Sequence, residues 1–220
     1  INRSARIKPR WTSDSEPTYG GAGSTSASTK SITIQGGNTE GDLDPAGVAL
    51  GMFIQYSRLC LEPLVTYDSD GKVSKAMAES YEESSDGLTW TFHLRKDAKW
   101  SDGSAVTSAD FVNTIKRSLD GKTSKSIYAD MLSPIVGATE AYAGTASVDN
   151  VGVTAPDDYT IEFKLVKPCS YFLKLIAMQC CYPSKAGIAT NENETWYTDP
   201  KTNLANGAFY MTEYVQGQYY

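Results

Sequence analysis

The chain has few side chains whose types and spacing could carry out catalysis. His93 is the only histidine among 220 residues, and it falls in a run at 89–95 where polar and apolar residues alternate. A Ser-His-Asp triad or a multi-histidine zinc site therefore has no source in these residues, and His93 is predicted to be a surface or hydrogen-bonded strand residue. The carboxylate pairs at 82–83 and 157–158 lie beside predicted turns, where water is the expected partner. We predict that the chain is not an enzyme.

Two glycine-containing segments resemble phosphate-binding loops only in part. GKTS at 121–124 ends like a P-loop, but the earlier glycine that such a loop requires falls at Lys116, and the segment follows a predicted helix instead of a strand. GGNTEG at 36–41 follows a predicted strand but lacks the spacing of a dinucleotide site. Both segments predict turns, and no cofactor is expected.

Four cysteines, Cys60, Cys169, Cys180 and Cys181, could support redox or metal chemistry. Four thiols allow three disulfide pairings, which an extracytoplasmic location would permit, and their spacing is not that of a metal site. A mutual disulfide between the adjacent Cys180 and Cys181 would be strained. Free buried thiols are favoured, since unpaired cysteine behaves as a small hydrophobic residue, and the oxidised alternatives stay open.

Tight hairpins and one capped helix make up the middle of the chain. YDSDGKV at 67–73 and SSDGLTW at 84–90 predict reversals, in which Asp70 and Gly71 can take positive φ angles. The following strand, 89–95, should turn three residues toward the core, namely Trp90, Phe92 and Leu94. WSDG at 100–103 predicts a further turn.

A helix is predicted over 108–119 because Thr107, followed three residues later by Asp110, matches a capping box. Its apolar stripe consists of Phe111, Ile115 and Leu119. The other predicted elements are a strand at 31–35, a helix within 48–61, a strand at 159–165 and a helix marked by Phe172, Leu175, Ile176 and Gln179. Strands and helices mingle without a strict βαβ rhythm, so an α/β fold of mixed α+β layers is predicted.

Composition is that of an ordinary globular chain, with 40% hydrophobic and 21% charged residues. The net charge of −6 argues against a nucleic-acid partner, because phosphate binding requires clustered Lys and Arg. No apolar run approaches the ~18 residues that span a bilayer. GGAGSTSAST at 20–29 is small and polar, and predicts a tether.

The order of motifs over 61–119 is the most specific feature of the sequence. E-P-L precedes a D-G turn, and A-E-S-Y, W-T-F-H-L-R, W-S-D-G and A-D-F follow. This order resembles the family 5 solute-binding proteins of ABC importers, and the resemblance continues through 159–165, 167–175 and 206–220. It implies a type II periplasmic-binding-protein-like fold of which this chain holds the first lobe only, since family members are typically more than twice as long.

The resemblance also implies a division of the chain. Residues 1–30 should be a disordered leader and tether, 31–66 the first part of the first-lobe core, 67–165 an inserted subdomain, and 166–220 the second part of that core. In Gram-positive members such a tether follows a lipid-modified cysteine. An N-terminal lipid anchor, as the sole link to the membrane, is therefore an expectation.

Ligand-binding residues can be carried over from the family at seven positions. The segment after the D-P of the first loop should border the cleft, and SIYADML matches the context of a family tyrosine. The predicted positions are Ala46, Gly47, Val48, Ala49, Leu50, Gly51 and Tyr128. Ala49 stands where oligopeptide binders can carry an acidic residue, and a packed helix tyrosine is an equal alternative for Tyr128.

The function that the resemblance implies is an extracytoplasmic or cell-surface receptor that captures an oligopeptide or dipeptide and delivers it to ABC permease subunits. A surface module for adhesion, chaperoning or signalling on the same fold is the alternative from another class. Nickel, haem or sugar are rival ligands within the first class, because fold similarity does not choose among them.

Overall fold

In the computed structural model, the described residues are 7–9, 43–47, 51–124, 126–193 and 195–214. The α-helices in this part are α1 (Gly51–Cys60), α2 (Ser108–Leu119), α3 (Ala138–Tyr142) and α4 (Phe172–Ile176). The strands are β1 (Ile7–Pro9), β2 (Val65–Tyr67), β3 (Val73–Lys75), β4 (Ala78–Glu83), β5 (Thr89–Leu94), β6 (Val153–Asp157), β7 (Thr160–Lys164) and β8 (Phe209–Met211). Short 3-10 helices cover Ala129–Leu132, Val148–Asn150 and Gln179–Cys181.

A four-stranded antiparallel sheet in the order β4-β5-β7-β6 forms the centre of the fold. Strand β5 confirms the predicted alternation, since Trp90, Phe92 and Leu94 are buried while the residues between them are half-buried. Strand β7 repeats it, with Ile161 and Phe163 fully buried. The ring of Phe92 meets Phe163 edge to face at 5.6 Å between centroids, so paired aromatic side chains hold the two central strands together.

Two predicted reversals are confirmed. Strands β2 and β3 pair with Tyr67 opposite Val73, and β4 and β5 pair around the second turn. Gly71 and Gly87 have φ of 74° and 69°, whereas no non-glycine residue in the described part has a positive φ. The prediction was therefore wrong for Asp70, because the carboxylate of Asp68 organises this turn by accepting the N–H groups of Asp70 and Lys72.

The second two-stranded sheet joins distant parts of the chain. Strand β1 pairs antiparallel with β8, with Ile7 opposite Met211. The prediction of a disordered segment over 1–30 does not hold for these three residues, because their backbone groups find a partner strand. The predicted strand at 31–35 and the remainder of the tether lie outside the described residues.

Helix α2 has the predicted bounds and the predicted capping box at Thr107. Its apolar stripe is fully buried. Helix α1 begins at Gly51 within the predicted range, and α4 ends at Ile176, so Gln179 lies in a separate 3-10 turn. Each helix of the described segments is too short or too polar to span a bilayer.

Two hydrophobic clusters are described. The larger one surrounds the sheet and extends past 165, where Phe172 of α4 packs edge to face against Phe163 at 5.3 Å. The smaller one joins α1 to β8 and is formed by Leu43, Tyr56, Cys60, Ala205 and Met211. The division into a subdomain at 67–165 and a first-lobe core on either side of it stays a prediction.

All four cysteines are free and buried, as predicted. Burial raises the pKa of the Cys60 thiol, against the smaller opposing effect of its hydrogen bond with Tyr56. The sulfurs of Cys180 and Cys181 lie 4.0 Å apart, and their hydrogen bond together with burial raises the pKa of Cys181. The thiols of Cys60 and Cys181 therefore stay protonated near neutral pH. All four cysteines act as core side chains.

Candidate functional site

The segment predicted to meet a ligand begins at the loop 43–47. Ala46 and Gly47 are buried, and Gly51 is the first residue of α1. Val48, Ala49 and Leu50 lie outside the described residues. The seven-residue ligand site therefore stays a prediction, and the structure describes the loop that leads into it.

The loop is shaped by the carboxylate of Asp44. Its Oδ1 accepts the backbone N–H of Ala46 at 2.9 Å, and the carbonyl oxygen of Asp44 accepts the N–H of Gly47 at 3.0 Å. An Asp side chain that bonds the backbone two residues on forms an Asx-turn, and Pro45 restricts φ inside it. Asp44 and Pro45 thus fix the course of the chain just ahead of the predicted binding residues.

A buried ion pair attaches this loop to α2. The two guanidinium Nη atoms of Arg117 donate to the two carboxylate oxygens of Asp44, at 2.7 and 2.5 Å. The exposed fractions of the two side chains are 8% and 11%. Two parallel N–H···O bonds define an orientation as well as a distance, which a single contact to lysine does not.

The second face of α2 was missed by the sequence analysis. Asp110, Thr114 and Arg117 are all buried although they are polar. Thr114 shares a 2.6 Å hydrogen bond with Ser184, and Arg117 contacts Asn191 Oδ1 at 3.2 Å. The spacing i, i+4, i+7 on a helix was a visible signal for one continuous face, but the polar side chains alone gave no indication that this face is buried.

Tyr128 is half-buried and packs against the larger hydrophobic cluster. It directly precedes the 3-10 helix Ala129–Leu132, and its backbone N–H donates to Ser126 Oγ at 3.4 Å. Within the described residues, no hydrogen bond joins Tyr128 to the loop 43–47. The structure thus places the two parts of the predicted site on separate elements. The role of the Tyr128 ring as a wall of the ligand cleft stays a prediction.

A cleft of about 900 Å³ opens elsewhere, between the β2–β3 hairpin and the segment 206–208. The carboxylate of Glu62 accepts a 2.7 Å hydrogen bond from Arg95 on its wall. The side-chain amide of Asn206 bonds both the N–H and the C=O of Glu62, at 2.9 and 3.0 Å. Neither Tyr128 nor Ala46, Gly47 or Gly51 lines this cleft.

The polar residues that could have served catalysis are spread over the sheet. His93 is half-buried on β5 and lies opposite Ser80 of β4 and Thr160 of β7. Asp157 is the last residue of β6, where the N–H of Tyr159 donates to its carboxylate and lowers its pKa. No group of three metal-ligating side chains occurs in the residues that the structure describes.

The described part of the chain combines a mixed α/β fold with a loop that an ion pair attaches to helix α2. The family profile of the bacterial extracellular solute-binding proteins, family 5 middle, matches residues 72–220. The chain belongs to this family.

Comparison with individual proteins agrees with this family assignment. The periplasmic oligopeptide-binding protein OppA of Escherichia coli K12 is 37% identical over 88% of this chain and 36% of its own length. The probable deoxycholate-binding periplasmic protein YgiS of the same organism is 34% identical over 80% of this chain and 33% of its own length. The solved structure of Listeria monocytogenes OppA bound to peptide matches with a TM-score of 0.74 at 29% identity, over 80% of this chain and 35% of that one.

These matches confirm the predicted family and the predicted mixed α/β fold of the periplasmic-binding-protein type. The chain spans about a third of the length of the relatives that it matches.

Proposed function

We propose that this chain forms part of an extracytoplasmic receptor that captures peptides for an ABC importer and does no chemistry on them. The observation that carries the proposal is the match over 80% of the chain to a protein solved with a bound peptide. The partners would be a peptide ligand and the permease subunits, with a lipid anchor as the link to a membrane.

The geometry of the loop 43–47 supports peptide capture. A peptide recognised through its backbone needs N–H and C=O groups that are already fixed in place, since ordering a loop on binding lowers affinity. Asp44 holds the backbone of this loop through Ala46, and Arg117 holds Asp44. Sequence-tolerant binding would follow, because every peptide offers the same backbone groups.

One relative favours a different ligand. The name of YgiS describes a deoxycholate-binding protein, so an amphipathic steroid acid is a second candidate for this chain. The half-buried ring of Tyr128 suits either ligand, because a tyrosine offers an apolar face and one hydroxyl.

The test is a thermal-shift panel on the protein encoded by the complete reading frame that contains this chain. Di- to pentapeptides should raise its unfolding temperature, since a ligand that binds only the folded state stabilises it by RT ln(1 + [L]/Kd). Deoxycholate, a sugar, nickel and haem are the parallel arms. A rise with one of these and none with peptides would overturn peptide capture.

Tyr128 supplies a site control within the same panel. If its ring contacts the bound peptide, Tyr128→Ala should reduce the peptide-induced shift and Tyr128→Phe, which keeps the ring, should retain most of it. An unchanged shift in both variants would assign Tyr128 to core packing alone.

A further inference from the structure

The Arg117–Asp44 pair joins a buried cation on α2 to the loop 43–47. Its partners are 73 positions apart in the sequence, and both side chains are nearly removed from solvent. A buried ion pair is weak support for stability, since desolvation offsets the attraction between the charges. A role in fixing one backbone arrangement explains the pair better than stability alone.

Arg117 is itself oriented from several sides. Asn191 Oδ1 and Ser184 Oγ accept its Nη–H groups at 3.2 and 3.3 Å, and the ring of Trp196 lies 5.4 Å from its Cζ atom. The amide of Asn191 in turn donates to the carbonyl oxygen of Arg117 at 3.0 Å. The guanidinium is therefore held in one plane before it meets Asp44.

The Asp44 carboxylate links the orientation of the guanidinium to the position of the loop backbone. Oδ1 of Asp44 accepts from both Arg117 Nη2 and the N–H of Ala46. A rotation of the carboxylate would break one of these bonds or strain both. The position of residue 46, where the predicted binding segment begins, is thus linked directly to the arginine on α2.

We infer that Arg117 is a positioning residue for ligand capture, which acts through Asp44 to fix the backbone of the segment at Ala46 and Gly47. The inference rests on the proposed function, because it assigns ligand contact to that segment. Arg117 does not touch the ligand. A lysine at this position would keep the charge but lose the two-point contact that sets the carboxylate plane.

The experiment compares peptide affinity and loop order in the complete protein. Arg117→Met should raise the peptide Kd about tenfold or more, and Arg117→Lys should give a smaller rise. Amide hydrogen exchange at Ala46 and Gly47 should accelerate in both variants, whereas the amide of Gly87, which donates to Ser84 in a distant turn, should be unaffected.

The matched control is Phe163→Leu, which weakens the core of the sheet without touching the loop. Affinities are measured at a temperature where every variant is folded, as judged by circular dichroism. Phe163→Leu should lower the unfolding temperature and leave the Kd unchanged. If Arg117→Met does not fold, Arg117→Lys and its exchange pattern decide the matter.

The outcomes separate the two proposals. Faster exchange at the loop with an unchanged Kd would overturn the positioning role and leave peptide capture standing. An equal rise in Kd for Phe163→Leu would also overturn it, because general destabilisation would then explain the loss. Failure of the unsubstituted protein to bind any peptide would overturn the proposed function, and the positioning role for ligand with it.

Discussion

Replacing Phe92 with alanine should lower the free energy of unfolding by about 3–5 kcal/mol. Phe92 is completely buried on the central strand β5, and its ring contacts Phe163 at 5.6 Å and Tyr81 at 5.7 Å between centroids. Removing the ring leaves a cavity between two strands that cannot close without shifting the sheet. Urea unfolding followed by circular dichroism measures the loss.

Thr91→Ala is the control for this prediction. Thr91 is next to Phe92 on the same strand but points to the other face of the sheet, where it is half-buried. Its replacement should cost less than about 1 kcal/mol, as is usual away from the core. Equal losses for the two variants would show that the burial pattern of β5 is not what stabilises the sheet.

Asp110→Ala should also lower the free energy of unfolding by about 3–5 kcal/mol, for a different reason. The buried carboxylate accepts hydrogen bonds at 2.9 Å from the indole of Trp100, the backbone of Thr107 and the backbone of Ala186. Alanine would leave three N–H groups without an acceptor, and each unsatisfied buried donor costs roughly 1–3 kcal/mol. Partial relaxation of the turn keeps the total below the simple sum.

Two further variants test the cause. Asp110→Asn keeps one acceptor oxygen and should give an intermediate loss in the same urea experiment. Asp149→Ala removes an exposed carboxylate whose salt bridge to Lys116 spans 3.3 Å at the surface, and should cost less than about 1 kcal/mol. A small effect of Asp110→Ala would mean that water replaces the carboxylate, and the site would then not be dry.

Local sequence signals predicted the hairpins and α2 well. The alternation over 89–95 and the stripe of Phe111, Ile115 and Leu119 each describe one face of one element, and burial of that face follows from the hydrophobic effect. The capping box at Thr107 is equally local. These features require no knowledge of which distant segment lies opposite.

The polar face of α2 could not be predicted in the same way. Arg117 is buried because Asp44 compensates its charge, and the partner is fixed only by the tertiary fold. The same limit applies to Asp110, which was predicted as half of a capping box and also receives the N–H of Ala186 from 76 positions away. A charged residue on a helix is expected to be exposed to solvent unless a compensating partner is known.

The candidate site was predicted from resemblance more than from physics. The D-P loop and Tyr128 carry no local pattern that indicates a ligand, and Ala46 and Gly47 offer only backbone groups and small side chains. Their interest comes from the family motifs, whereas the contacts that hold the loop emerge from the structure.

The most direct test of the account is calorimetric titration of a mixed peptide library into the complete protein and into residues 31–220 alone. When two lobes enclose a peptide, both faces of the peptide are removed from water. One lobe alone offers a shallow half-site with fewer backbone partners. The complete protein should bind peptides tightly. The fragment 31–220, once shown to be folded, should bind them weakly or not at all. Tight binding by the fragment would contradict two-lobe capture and indicate a self-contained site, and no binding by the complete protein would contradict peptide capture itself.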